Sequence, residues 1–111
     1  MLLSELTQKL GGTIVVDKPE AVITSAYTSD LLSDVMGHCG DESALITIQN
    51  HLNTIAVCTL AGIEVIVICH NRSIPEDMKA AAEREEVAIV TTPLSQFAAS
   101  VALGELEASV R

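Results

Sequence analysis

The stretch Ile63-Glu-Val-Ile-Val-Ile68, running on into Cys69-His-Asn-Arg-Ser-Ile-Pro-Glu76, decides the fold. Five of its first six residues are β-branched, a composition that crowds a helix but packs well on a pleated surface. A nearly unbroken apolar run of this length is a strand buried on both faces, and such strands lie inside parallel sheets. Directly behind it, Ser73 and Glu76 stand three apart as a capping box, so a helix is expected from Pro75 to Glu86.

The same alternation continues outward in both directions. Toward the C-terminus, Val87-Ala-Ile-Val-Thr91 reads as the last strand, and Thr92-Pro93 as a cap with proline at the first position of a final helix. Toward the N-terminus, Gly62 stops a helix over Asn53 to Ala61 that Asn53 would cap, and Ala44-Leu-Ile-Thr-Ile48 is a buried strand. Ser29 would cap a helix through Asp30-Leu-Leu-Ser-Asp-Val-Met36, ended by Gly37 and Gly40. Ala21-Val-Ile-Thr24 and Thr13-Ile-Val-Val16 are two short strands, and Leu2, Leu3, Leu6 and Leu10 recur at helical spacing before Gly11-Gly12. Strands separated by helices need parallel crossovers. The expected fold class is therefore a three-layer α/β domain spanning residues 1–111, with a mostly parallel sheet and helices on both faces.

Composition narrows the function classes. The chain has 111 residues, 49% of them hydrophobic, with one Phe, one Tyr and no Trp, so aliphatic side chains build the core. Fifteen acidic residues against six basic ones give a formal charge of −9, which repels nucleic-acid backbones and anionic membrane surfaces. No apolar run is long enough to span a bilayer, the N-terminus lacks the basic flank of a signal peptide, and three cysteines are an odd number. A cytoplasmic protein with reduced thiols is the expectation.

In open parallel sheets, ligands gather outside the carboxyl ends of the strands. Three segments qualify: Gln49 to Asn53, Cys69 to Ser73, and Thr91 to Pro93. The candidate ligand-binding residues are Asn50, His51, Asn53, His70, Asn71, Arg72, Ser73, Thr91 and Thr92. Each segment opens a helix whose free N–H groups attract anions, and Arg72 is the one base in the set. Capping alone would also account for Asn53, Ser73 and Thr92.

Catalytic and metal chemistry find less support. No Gly-Lys dipeptide and no G-x-G-x-x-G occur, so a phosphate-binding loop and a dinucleotide fingerprint are both missing. His38-Cys39 and Cys69-His70 are adjacent pairs, with His51 and Cys58 nearby in number. Structural zinc sites space their ligands two to four residues apart, and neither that spacing nor a credible Cys–His dyad is present. No catalytic residue, metal ligand or cofactor is assigned. Asp30 and Asp34, four apart on one expected helix face, read as a solvated pair.

Ala26-Tyr-Thr-Ser-Asp-Leu-Leu-Ser-Asp-Val-Met36, Leu45-Ile-Thr-Ile-Gln49, Asn50-His-Leu-Asn53, Leu60-Ala-Gly62 and Thr92-Pro-Leu-Ser95 resemble the small stand-alone DRTGG-domain proteins. These carry a serine-kinase-like label because the domain is similar to the amino-terminal domain of HPr kinase/phosphorylase. The resemblance runs from about Leu3 to Leu103, although the name-giving Asp-Arg and Thr-Gly-Gly elements are absent. It implies a regulatory or accessory module of the kind found beside CBS domains, in some phosphotransacetylases, and encoded near iron-only hydrogenase components. It implies a homodimer and carries over no established catalytic residue, and the phosphate-binding loop of HPr kinase belongs to a separate carboxyl-terminal domain that the resemblance does not reach.

The expected function is a non-catalytic regulatory module that binds a small anionic ligand, pairs as a homodimer, and serves a redox, hydrogenase or acyl-phosphate system. The apolar residues of the first helix (Leu2, Leu3, Leu6, Leu10) or of the last (Leu94, Phe97, Val101, Leu106) would supply the dimer contact. Two alternatives stay open: a metal- or thiol-linked redox accessory protein using His38, Cys39, His51, Cys69 or His70, and a small enzyme acting on an anionic metabolite.

Overall fold

The structure is a computed structural model that describes residues 1–109. Its elements in chain order are α1 (Leu3–Lys9), β1 (Thr13–Val16), β2 (Ser25–Thr28), α2 (Leu32–His38), β3 (Ser43–Thr47), α3 (Leu52–Ala61), β4 (Ile63–Ile68), α4 (Glu76–Glu85), β5 (Ala88–Thr91), α5 (Gln96–Ala102) and β6 (Glu107–Ala108). One six-stranded sheet runs β1-β5-β4-β3-β2-β6. Four of its pairings are parallel, and only β1 runs against its neighbour β5.

The β-branched run Ile63–Ile68 is the third strand of this sheet and is buried along nearly its whole length. Its side chains alternate between the two faces. Ile66 and Ile68 join Val35, Ile55, Cys58, Met78 and Ala82 beneath α2, α3 and α4. Val65, Val67 and Cys69 join Leu3, Leu6, Leu10, Ala99 and Leu103 beneath α1 and α5. Helices therefore cover both faces, which is the expected three-layer α/β architecture. Between Ile63 and Val65 the register with β3 shifts, so Ile63 falls on the α3 side although it stands two before Val65.

Helices α2, α3 and α4 step the chain across one face from β2 to β5, and α5 then carries it back over the other face to β6. Glycine matters at two points. Gly62 closes α3 in the left-handed conformation, φ 75°. At Gly12 a Cβ would stand 2.6 Å from the Thr91 carbonyl, so only glycine lets β1 approach β5 there.

Several local expectations are corrected. The second strand lies at Ser25–Thr28, not at Ala21 to Thr24. Ala21 and Ile23 pack against α1 instead, and Val22 makes a single antiparallel bridge to Leu2. β6 was not foreseen, because its two exposed residues are a strand only through pairing with β2. Ser29 does not cap a helix: α2 begins three residues later. Asn53 is not the cap of α3, where His51 holds that position, and the Ser73 capping box does not form, since α4 starts after Pro75. Thr92 is not the cap of α5. Ser95 is, with its side chain accepting from the Ala98 N–H.

Among the described residues, no helix is long and apolar enough to cross a membrane. Of the apolar residues of the first helix, Leu3, Leu6 and Leu10 are buried in their own core, and Leu2 at its N-cap is exposed. On α5, Phe97 and Val101 are exposed, at 80% and 65%.

Candidate functional site

Because β3, β4 and β5 are adjacent and parallel, the loops leaving their carboxyl ends emerge at one edge of the sheet. Hydrogen bonds tie these loops together. Asn50 Nδ2 donates to the Ser73 carbonyl at 2.8 Å. The His70 and Asn71 N–H groups donate to the carbonyls of Leu94 and Thr92 at 3.0 and 2.9 Å. His70 and Asn71 are both left-handed, with φ 59° and 50°. Outside glycine that conformation costs on the order of 1 kcal/mol per residue and persists only where neighbouring contacts enforce it. The two cross-loop bonds supply that enforcement.

The candidate residues divide by what their side chains do. Those of His51, Asn53, His70, Asn71, Arg72 and Ser73 are exposed. The Arg72 guanidinium has no hydrogen bond or ion pair among the described residues, while its N–H closes a turn on Cys69. The Asn50 amide is committed to Ser73, and Thr91 is half-buried at the end of β5. Thr92 is fully buried, where its hydroxyl donates to the Leu10 carbonyl at 2.7 Å and accepts from the Leu94 N–H. It thus pins the loop to the end of α1.

Sequence reasoning missed Asp30 and Gln96 at this edge, and chose the segment holding Gln49 without taking Gln49 as a candidate. Asp30 lies outside α2, and its carboxylate turns toward the sheet. Its Oδ1 accepts from Thr47 Oγ1, the Ile48 N–H and Gln96 Nε2 at 2.9, 3.0 and 3.1 Å. Gln49 Nε2 donates to the Asp30 carbonyl at 2.6 Å, and Gln49 Oε1 stands 2.7 Å from His51 Nε2. The loop after β2 is therefore a fourth member of the edge. A signal existed: Thr28-Ser29-Asp30 is polar and follows a strand, as the other three segments do.

Asp30 and Asp34 do not form a solvated pair. Asp34 Oδ2 accepts from the Tyr27 hydroxyl at 2.6 Å, and its Oδ1 lies 3.1 Å from His38 Nδ1. The hydrogen bond from Tyr27 holds the Asp34 carboxyl below its usual range. The same bond, with some burial, pushes the Tyr27 phenol up to about 12.

All three thiols are buried and unbridged. Burial pushes Cys58 well above the ordinary thiol range, and burial with the nearby Asp30 charge pushes Cys69 up to about 11. Neutral thiols are poor nucleophiles and poor metal ligands. Cys69 faces the core while His70 turns outward, so that pair does not act as a dyad. Among the described residues, no group of three His, Cys, Asp or Glu side chains is placed to hold a metal ion.

No known family profile matches the chain, and no curated protein matches it. Among solved structures, it is similar to the CBS and DRTGG domains of the regulatory region of Clostridium perfringens pyrophosphatase, complexed with the activator diadenosine tetraphosphate. The TM-score is 0.73 at 11% identity, over 92% of this chain and 45% of that one. The chain spans less than half the length of that neighbour. At this identity the likeness is one of architecture: the layered α/β sheet of residues 1–109 is a DRTGG-like fold.

Proposed function

We propose that residues 1–111 act as one regulatory, small-ligand-binding unit of the DRTGG family, and that the ligand sits at the carboxyl edge of β3, β4 and β5. The observation that carries this is the pair of successive left-handed residues, His70 and Asn71, clamped by the neighbouring loop beside Arg72, whose guanidinium has no partner among the described residues. Strained backbone held rigid at the ligand-binding edge of a parallel sheet is the mark of a preorganised site. The neighbouring structure adds support, because its DRTGG-containing region is regulatory and holds a nucleotide activator. Membership of the family, and with it kinship to the amino-terminal domain of HPr kinase/phosphorylase, rests on the stretches quoted from Ala26 to Ser95.

A cytoplasmic, non-catalytic role in an acyl-phosphate or redox system follows from the same reading. Its probes are diadenosine tetraphosphate, AMP and acetyl phosphate. In a thermal-shift assay, a probe at 100 times its Kd stabilises the protein by about 2.7 kcal/mol, several degrees for a domain this small. Arg72→Ala should abolish that shift. A wild-type melting point unmoved by every probe would sink the reading. The proposed homodimer would use the exposed Phe97 and Val101 of α5, and a monomer in sedimentation at high micromolar concentration would remove it.

A further inference from the structure

Away from the strand-end edge, the outer side of α3 is unusual for so acidic a chain. From Ser43 to Ile63 there is no Asp, Glu, Lys or Arg, although the chain holds fifteen acids and six bases. Helix α3 lies wholly within that stretch. Its Ile55, Cys58 and Ala61 are buried, while Leu52, Ala56 and Leu60 are exposed, Leu60 at 73%. An uncharged helix that is apolar inward and outward is the pattern of one covered on both sides. Leu52, Ala56 and Leu60 stand four apart in one row, two large side chains with a small one between them. Such a row leaves a notch that a side chain from another helix fills. Beside it runs a groove, bounded on the far side by Ala81, Arg84 and Glu85 of α4.

Acidic groups border this apolar strip. Asp41 and Glu42 lie at its carboxyl end, where the Glu42 N–H donates to the Gly62 carbonyl at 3.1 Å and Asp41 packs against Gly62. Glu85 lines the α4 rim, and Asp77 stands one turn before Ala81 on the same side of that helix. All four are exposed. Among the described residues, Arg84 is the one Lys or Arg that lines the groove, and its Nε stands 3.5 Å from Glu85.

We infer that the α3–α4 face docks an amphipathic helix of a second protein, one whose apolar stripe is flanked by Lys or Arg. The apolar row supplies the contact, and the acids select the flanks. A second copy of this chain would set the same acids against one another around the contact. A helix is favoured over an extended peptide because it satisfies its own backbone, and this face offers no open strand to pair with. The ten residues of α3 are about 15 Å long, room for nearly three turns. This surface is separate from the ligand edge and does not depend on it.

The experiment titrates the 15N-labelled full chain with three synthetic peptides. One is a three-turn helix with leucine on one stripe and lysine flanking it, one has glutamate in place of lysine, and one scrambles the lysine peptide. The lysine peptide is expected to shift the amides of α3 and α4, and to bind about tenfold more tightly than the glutamate and scrambled peptides. Leu60→Gln, which leaves the core untouched, should weaken the lysine peptide by about tenfold. No shift by the lysine peptide up to about 1 mM overturns the inference. So does equally tight binding of the glutamate peptide, which removes the role of the acids, or of the scrambled one, which removes the role of the apolar row. Sedimentation of the wild type supplies a last outcome: a dimer that Leu60→Gln dissolves would mean that a second copy covers this face, and overturns the inference too. None of these results bears on the ligand reading.

Discussion

Two aspartates four residues apart anchor two different regions. At the β2–α2 corner, Asp34 spends both oxygens on near neighbours, the Tyr27 hydroxyl and His38. At the strand-end edge, Asp30 gathers partners 17, 18 and 66 residues away onto one oxygen and leaves the other over. A saturated carboxylate is a local fastener. One that holds distant segments and keeps an oxygen in reserve can also meet a ligand. The difference separates a structural cluster from a candidate site more sharply than residue type or exposure does.

The largest expected effect tests that contrast directly. Asp30→Ala strands the buried Thr47 hydroxyl and two further donors. It should lower unfolding stability in urea by about 3 kcal/mol, the range for lost bonds to a charged acceptor. Asp34→Ala should cost clearly less, and the reverse order would break the comparison. Thr92→Val keeps the shape and removes the buried hydroxyl that reaches Leu10. A loss of about 1–2 kcal/mol in the same assay is expected.

The Asp34 corner is tested through pH. Tyr27 is the sole tyrosine in a chain without tryptophan, so tyrosinate absorbance reports it alone. Its midpoint should stand near 12 and fall toward the ordinary value of about 10 in Asp34→Asn. Since the folded value is raised, the stability it contributes is complete below pH 10 and vanishes as pH climbs to about 12. Asp34 works in the opposite sense. Its folded value is lowered, so its contribution is present above the ordinary carboxyl range and fades as pH falls below it. Tyrosine fluorescence during acid unfolding should show wild type losing this advantage over Asp34→Asn. The smallest effect belongs to Arg72→Ala, which removes a side chain without a partner among the described residues and should change stability by less than about 0.5 kcal/mol. A larger loss would mean that Arg72 holds the fold.

The strands were the most legible part of the chain. Thr13–Val16 and Ile63–Ile68 have the boundaries their β-branched runs announce, because glycine precedes each run and a polar residue follows within two positions. Helix caps were less legible. Ser73 and Thr92 have capping chemistry, but the Ser73 carbonyl receives Asn50 and the Thr92 hydroxyl reaches Leu10, contacts that no local pattern encodes. The three segments chosen for the site do meet, since parallel neighbours bring them there. Asp30 and Gln96 stayed hidden because their bond spans 66 residues. Ala21 to Ile23 misled for the opposite reason: its alternation is real, but it serves packing on α1 and not pairing.

The return of α5 across the sheet has a consequence for synthesis. Gln96, Ser100 and Ser109 bond to Asp30, Thr28 and Gly40, and β6 pairs along the outer edge of β2. On a ribosome adding roughly 5–20 residues per second, that outer edge waits about 4–16 s for its partner. During that interval the nascent chain presents an open strand to its surroundings, so its yield in the cell should depend on how crowded with other unfinished chains those seconds are.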